Sequence, residues 1–104
     1  MRIYGLKTCD TCRKAIRALG DAEFIDIRED PLSGDLKARA LAEFGEDLVN
    51  RRSTTWRGLD EAERARAPAD LLSDHPALMK RPLIEHEGQL YLGWSKEVQA
   101  ALGV

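Results

Sequence analysis

The sequence contains two cysteines, Cys9 and Cys12, separated by Asp10 and Thr11. A cysteine reacts as its thiolate, and an unperturbed thiol with a pKa of about 8.5 is only about 3% ionised at pH 7. A disulfide across so short a loop would constrain little chain entropy, so it would add little stability. The spacing therefore predicts redox chemistry. Cys9, in the loop before a predicted helix, is expected to be the nucleophile, and Cys12, in the first turn of that helix, is expected to resolve its adducts.

A zinc site and an inert pair are the alternatives for these cysteines. A structural zinc site needs four ligands, and the sequence offers no third cysteine. His75 and His86 share no compact motif with each other or with the pair, so no metal is expected. In the inert alternative, Cys9 is a spectator in a loop and Cys12 a small residue on a helix face. The redox interpretation is favoured because the pair stands where a strand gives way to a helix.

The residues around Cys9 predict a stabilised thiolate. Cys9 lies just before a predicted helix, where unpaired backbone N–H groups and the positive end of the helix dipole favour negative charge. Lys7 and Arg13 add cations nearby, while Asp10 opposes the thiolate. We therefore expect the pKa of Cys9 to lie below its usual value.

The elements that must position the pair are two strands and the helix between them. Residues 1–5 are apolar apart from Arg2 and are compatible with a strand. After a polar turn, the apolar residues recur at helical spacing as far as Gly20. Residues 23–28 alternate as a second strand. This β-α-β unit is expected to have a right-handed parallel crossover.

The middle of the chain predicts helices. An apolar stripe indicates a helix over residues 33–44, and Gly45 closes it. Asp60 and Glu63 resemble a capping box, and Pro68 is placed to begin another helical turn. No strand is predicted in this part of the chain.

The last part of the chain returns to strands. Residues 83–86 and 89–92 predict a hairpin with a tight turn, and Ser95 is placed to cap a final helix. The order β-α-β, helices, β-β-α predicts an α/β fold with a mixed sheet. We expect one domain over residues 1–104, with a helical insert at about residues 33–76.

Composition limits the function classes. With 104 residues, 43% hydrophobic and 33% charged, the chain has the size of one domain. A net charge of −2 and a pI near 5.7 provide no field that attracts nucleic acid or anionic lipid. No signal peptide and no stretch of membrane-spanning length are evident. These features predict a cytoplasmic protein with neither nucleic acid nor a membrane as a direct partner.

Three blocks of the sequence resemble the arsenate reductase-like family, which contains glutaredoxin-coupled arsenate reductases, YffB-type proteins and Spx-type regulators. The first block, YGLKTCDTCRKA over residues 4–15, carries the family's reactive cysteine at the position of Cys9. The second, LVNRRSTTWRGL over residues 48–59, is very similar to YffB-type proteins, the members that the chain resembles most. The third, HPALMKRPLI over residues 75–84, contains an arginine at the place where the family has one before a cis-proline.

This resemblance implies a thioredoxin-like fold with a helical insertion, and it implies binding residues. Arg81 would lie beside the cysteine loop, where its guanidinium could pair with a thiolate, an oxyanion or a glutathione carboxylate. Pro82 would present extended backbone to a peptide-like substrate. Arg52, with Arg51 as its possible substitute, is the second candidate for anion binding. The full set of predicted site residues is Cys9, Cys12, Arg81, Arg52, Arg51, Lys7, Arg13 and Pro82.

Three functions are compatible with these observations. The first is a thiol-dependent oxidoreductase in which Cys9 attacks an oxidised substrate, with glutathione as co-substrate and no bound cofactor. The second is a glutaredoxin-coupled arsenate reductase, although the family's third arginine position falls at Gly93-Trp94 here. The third is an Spx-like regulator that binds RNA polymerase and uses Cys9 and Cys12 as an oxidation switch. We rank the three in this order.

Overall fold

A computed structural model describes all 104 residues of the chain. The chain forms two compact units, the first built from Met1–Asp30 with Arg81–Val104 and the second from Pro31–Lys80. The first unit carries the sheet, and the second is largely helical and contains the predicted insert at residues 33–76. The expectation that the whole chain behaves as one domain stays a prediction.

Four strands and six α-helices make up the two units. The strands are β1 (Arg2–Gly5), β2 (Glu23–Asp26), β3 (Leu83–His86) and β4 (Gln89–Leu92). The helices are α1 (Asp10–Ala18), α2 (Gly34–Phe44), α3 (Thr54–Arg57), α4 (Glu61–Arg64), α5 (Pro68–Asp74) and α6 (Lys96–Ala101), with 3-10 turns at Gly45–Leu48 and Pro76–Leu78. None of the helices has the length and apolar character that crossing a membrane requires.

The first unit contains a four-stranded mixed sheet in the order β2-β1-β3-β4. Strand β1 runs parallel to β2 and antiparallel to β3, and β3 pairs antiparallel with β4. The hairpin turn between β3 and β4 places Glu87 at φ 51° and Gly88 at φ 77°, as a two-residue turn with left-handed central residues requires. A β-α-β half joined edge to edge with a β-β-α half is the thioredoxin-like arrangement, so the predicted fold class is confirmed.

A small apolar cluster holds α1 on the sheet. Ile3 of β1 and Ile84 of β3 are fully buried, and Ala15 and Leu19 of α1 and its C-terminal end pack against them. Aromatic and aliphatic side chains from the neighbouring elements cover this cluster: Ile16, Ala22, Phe24, Tyr91, Trp94, Val98 and Leu102. Because α1 is fixed to the two central strands, the loop that precedes it is held on a rigid support.

The second unit is built from capped helices. The Ser33 hydroxyl accepts the Leu36 N–H at 3.1 Å at the start of α2, and the Asp60 carboxylate accepts the Glu63 N–H at 2.8 Å at the start of α4. Gly45 ends α2 with a φ of 57°. The buried side chains of this unit are Leu36, Ala40, Leu48, Val49, Leu71, Leu72, Leu78 and Met79.

Candidate active site

The two cysteines occupy the junction between β1 and α1 and are both tied to the backbone of Leu6. Cys9 is the residue that precedes α1, in extended conformation, and its N–H donates to the Leu6 carbonyl at 3.1 Å. Cys12 lies in the first turn of α1 with none of its surface exposed, and its sulfur interacts with the Leu6 N–H. Leu6 therefore holds the backbone of Cys9 through its carbonyl and the sulfur of Cys12 through its N–H.

Cys9 is the more acidic thiol of the pair. Partial burial acts to raise its pKa, but the backbone N–H of Cys12, a hydrogen bond from Arg81 and the thiol of Cys12 together lower the pKa below its ordinary value. The thiol is half-buried, so a substrate can still reach the sulfur. These conditions favour a reactive thiolate at neutral pH.

Cys12 has the opposite character. Burial, opposed by the Leu6 N–H and reinforced by the neighbouring Cys9 sulfur, raises the pKa of Cys12 to about 12. The Cys12 thiol therefore keeps its proton at neutral pH and serves as a hydrogen-bond donor to the Cys9 sulfur. The pair therefore consists of one thiol with a lowered pKa and one thiol that stays protonated at neutral pH.

Arg81 and Pro82 belong to the same unit as the cysteine loop. Arg81 stands just before β3, the peptide bond between it and Pro82 is cis, and its guanidinium hydrogen-bonds the Cys9 sulfur. The Pro82 carbonyl accepts the Gly93 N–H at 2.8 Å, which continues the pairing of β3 with β4. The strands thus fix the backbone from which Arg81 reaches Cys9.

Lys7 and Arg13, the other cations predicted near Cys9, form ion pairs with neighbouring carboxylates. The Lys7 ammonium pairs with Glu29 at 3.1 Å, and the Arg13 guanidinium lies 3.7 Å from Asp10. Arg13 Nε also donates to the Lys7 carbonyl at 2.9 Å, which braces the loop. The cation that acts on Cys9 is therefore Arg81, and Arg13 offsets the Asp10 charge that opposes the thiolate.

Arg51 and Arg52 belong to the second unit. Arg51 lies 3.6 Å from Glu46 and 5.5 Å from the centre of the Trp56 ring, and the Arg52 N–H donates to the Asn50 side chain at 3.0 Å. They line a shallow groove of about 430 Å³ together with Glu46, Asp47, Val49, Asn50 and Lys80. Their role in binding an anion stays a prediction.

The two histidines make local contacts within their own units. His75 Nε2 lies 3.2 Å from a Glu63 carboxylate oxygen, and His86 Nε2 lies 3.8 Å from Glu87. No group of three metal-ligating side chains occurs in the chain.

Gly5 is a site residue that the sequence analysis did not identify. A Cβ built on Gly5 would overlap the Cys12 sulfur and would lie 3.4 Å from the Cys12 Cβ. A glycine within a strand can mark a place where another group approaches the backbone closely, and this was the available signal. The sequence alone does not show that the approaching group is the Cys12 sulfur, because this depends on how α1 packs on β1.

Replacing Arg81 with glutamine is expected to raise the pKa of Cys9, because the thiolate loses its charged hydrogen-bond donor. We expect a decrease of about tenfold in the acid dissociation constant, measured from thiolate absorbance near 240 nm in a Cys12→Ala background. Arg13→Gln is the matched control, since that guanidinium contacts Asp10 and Lys7. An equal change in both variants would show that the effect of Arg81 is only a general one of net charge.

Comparison with known families agrees with the fold. Residues 4–102 match the model of the ArsC family. The chain therefore belongs to the ArsC family of arsenate reductase-like, thiol-based proteins, and the family resemblance noted in the sequence is confirmed. This match covers the cysteine pair, all three sequence blocks described above and all four strands except the first two residues of β1.

Individual relatives fall into more than one functional group. A Haemophilus influenzae protein described as uncharacterized is 40% identical over 109 residues, covering 95% of this chain and 96% of the relative. The global transcriptional regulator Spx of Bacillus subtilis is 30% identical over 105 residues, covering 91% of this chain and 80% of Spx. The solved structure of a YffB protein superposes with a TM-score of 0.86 at 32% identity, covering 96% of each chain.

Proposed function

We propose that this protein is a thiol-dependent reductase that uses glutathione as co-substrate and Cys9 as its nucleophile. The observation that carries the proposal is the different environment of the two thiols. Cys9 is half-buried and hydrogen-bonded by Arg81 and Cys12, which lowers its pKa, whereas Cys12 is fully buried, which raises its pKa to about 12. A reductase with two thiols needs one that attacks at neutral pH and a second that stays protonated until an adduct has formed on the first. An inert cysteine pair needs neither property.

The reaction begins when the Cys9 thiolate attacks one sulfur of a disulfide substrate. A bond forms between Cys9 and that sulfur, the substrate disulfide breaks, and the departing sulfur takes up a proton as a thiol. Arg81 hydrogen-bonds the Cys9 sulfur. In the proposed reaction it would also pair with a carboxylate or oxyanion carried by the substrate. The adduct removes the Cys9 negative charge that helps to keep Cys12 protonated.

Two routes complete the cycle. Cys12 can lose its proton and attack Cys9, forming an internal disulfide and releasing the second substrate thiol. Two molecules of glutathione then reduce this disulfide and leave as oxidised glutathione. Alternatively, one glutathione attacks the Cys9 sulfur of the adduct, which releases the second substrate thiol and leaves a Cys9–glutathione disulfide. A second glutathione attacks the glutathione sulfur of that disulfide, which forms oxidised glutathione and restores the Cys9 thiolate, so Cys12 is not needed.

Titration with oxidised glutathione, followed by intact-mass and peptide mass spectrometry, tests the proposal. We expect one glutathione on Cys9, which gives way to an internal Cys9–Cys12 disulfide. In Cys12→Ala the same adduct should persist, because the second thiol is absent. A parallel assay replaces the disulfide with arsenate in the presence of glutaredoxin, and glutathione oxidation there would identify arsenate as the substrate.

Failure to modify Cys9 would contradict the proposal, as would modification of Cys12 in its place. The Cys9→Ser variant controls for adducts formed elsewhere and should remain unmodified. Denatured protein provides the second control, since both thiols are then accessible and equally reactive.

The similarity to Spx supports a second candidate, a redox-sensing regulator that binds RNA polymerase. The observation that favours this candidate is the 30% identity to Spx over 91% of this chain. Purified polymerase and the reduced or oxidised protein distinguish the two functions. Binding that depends on the oxidation of Cys9 and Cys12 would favour the regulator, whereas turnover of a disulfide without such binding would favour the reductase.

A further inference from the structure

We propose that Gly5 is a positioning residue for the cysteine pair, because its missing Cβ leaves the space in which the Cys12 sulfur sits next to Cys9. The inference rests on the proposed reductase function of Cys9 and adds to it the residue that sets the geometry of its partner. The space is defined by distance: a Cβ on Gly5 would overlap the Cys12 sulfur and would lie 3.6 Å from a Phe24 ring carbon.

Space, and not backbone conformation, explains the glycine. Gly5 is the last residue of β1, and its φ is not positive. An alanine would therefore fit its backbone without strain. In the parallel register Gly5 stands opposite Asp26, and its carbonyl accepts the Ile27 N–H at 3.0 Å. The strand cannot withdraw from α1 without breaking this pairing.

Cys12 has equally little freedom to move away. It is fully buried on the face of α1 that also carries Ala15, which is fully buried against β1 and β3. Its sulfur interacts with the Leu6 N–H, one residue beyond Gly5. In a helix few side-chain rotamers are available, so an alanine in place of Gly5 would force the sulfur out of this space or push α1 from the sheet.

The position of the sulfur matters for chemistry, because the Cys12 thiol and its backbone N–H both act on Cys9. A displaced sulfur no longer donates to the Cys9 thiolate along the same direction, and hydrogen bonds weaken steeply with angle. Gly5 touches no substrate in this scheme. It acts through Cys12 on the ionisation of Cys9.

A double-mutant cycle tests the inference with the pKa of Cys9 as its readout. Gly5→Ala, Cys12→Ala and the double variant are compared with the unmodified chain by thiolate absorbance and by thermal unfolding. We expect Gly5→Ala to lower the acid dissociation constant of Cys9 by about tenfold when Cys12 is present. In the Cys12→Ala background the same substitution should change it by less than about twofold, since the sulfur that the added methyl group would displace is gone.

Gly20→Ala is the matched control, because a Cβ at Gly20 meets nothing within 4 Å. If Gly5→Ala fails to fold while the double variant folds with the Cys9 ionisation of Cys12→Ala, the inference is supported. It is overturned if Gly5→Ala changes nothing, if its effect is equal in both backgrounds, or if the single and the double Gly5→Ala variants both unfold. The readout needs no substrate, so a protein that reduces no disulfide refutes the reductase proposal and leaves this test intact.

Discussion

Cys9→Ser is expected to lower the rate of glutathione-coupled disulfide reduction by about 10³-fold or more, with the fold unchanged. Serine keeps the size of the side chain but replaces the one group that ionises near neutral pH and attacks sulfur. Removing a catalytic nucleophile commonly costs several orders of magnitude. Turnover is measured by consumption of NADPH with glutathione and glutathione reductase.

Cys12→Ser serves as the comparison for this variant. It leaves the nucleophile in place and lets glutathione resolve the adduct, so we expect activity within about tenfold of the unmodified chain. Full activity in Cys9→Ser would remove Cys9 from the mechanism. Loss of activity in both variants together with loss of fold would trace the defect to packing around the buried Cys12.

Alkylation of the folded protein at pH 7 is expected to favour Cys9 over Cys12 by about 10³-fold or more. A thiol with a pKa of about 12, the value to which burial raises that of Cys12, is ionised in only about one molecule in 10⁵ at this pH. Burial of the Cys12 side chain also blocks the reagent. Iodoacetamide labelling followed by peptide mass spectrometry measures both rates.

The pH dependence of this labelling follows from the lowered pKa of Cys9. The rate should rise with pH as the thiol ionises and should reach half of its maximum at a lower pH than the labelling rate of a free cysteine does. In denaturant the two cysteines should react equally, which shows that the fold causes the difference. A midpoint at or above the free value, or rapid labelling of Cys12 in the folded chain, would contradict the assignment of roles.

The strands and the longer helices were predictable because their signals are local. The hairpin strands match the predicted residues 83–86 and 89–92, since alternation and the Glu87-Gly88 turn are read from adjacent residues. The four-residue helix α3 was not predicted, because one turn is too short to show a helical period. Its cap is Ser53, whose hydroxyl accepts the Trp56 N–H at 3.1 Å.

The sequence indicated candidate residues for the site but not the contacts that they make. Residue spacing indicated that Cys9 precedes a helix, whereas the partners of Lys7 and Arg13 depend on where Glu29 and the Asp10 side chain lie in space. The action of Arg81 on Cys9 requires the pairing of β1 with β3, whose residues are far apart in sequence. Gly5 could not be assigned, because its importance lies in a sulfur atom seven positions later.

The first unit is built from two stretches that are distant in sequence, Met1–Asp30 and Arg81–Val104, and this affects the chain while it is being synthesised. The ribosome releases Cys9 long before it releases Arg81, so the nascent chain carries a cysteine whose sulfur still lacks the guanidinium. Only when β3 docks on β1 does the thiol acquire its full acidity. Before this pairing forms, Cys9 in the unfinished chain is a less acidic thiol.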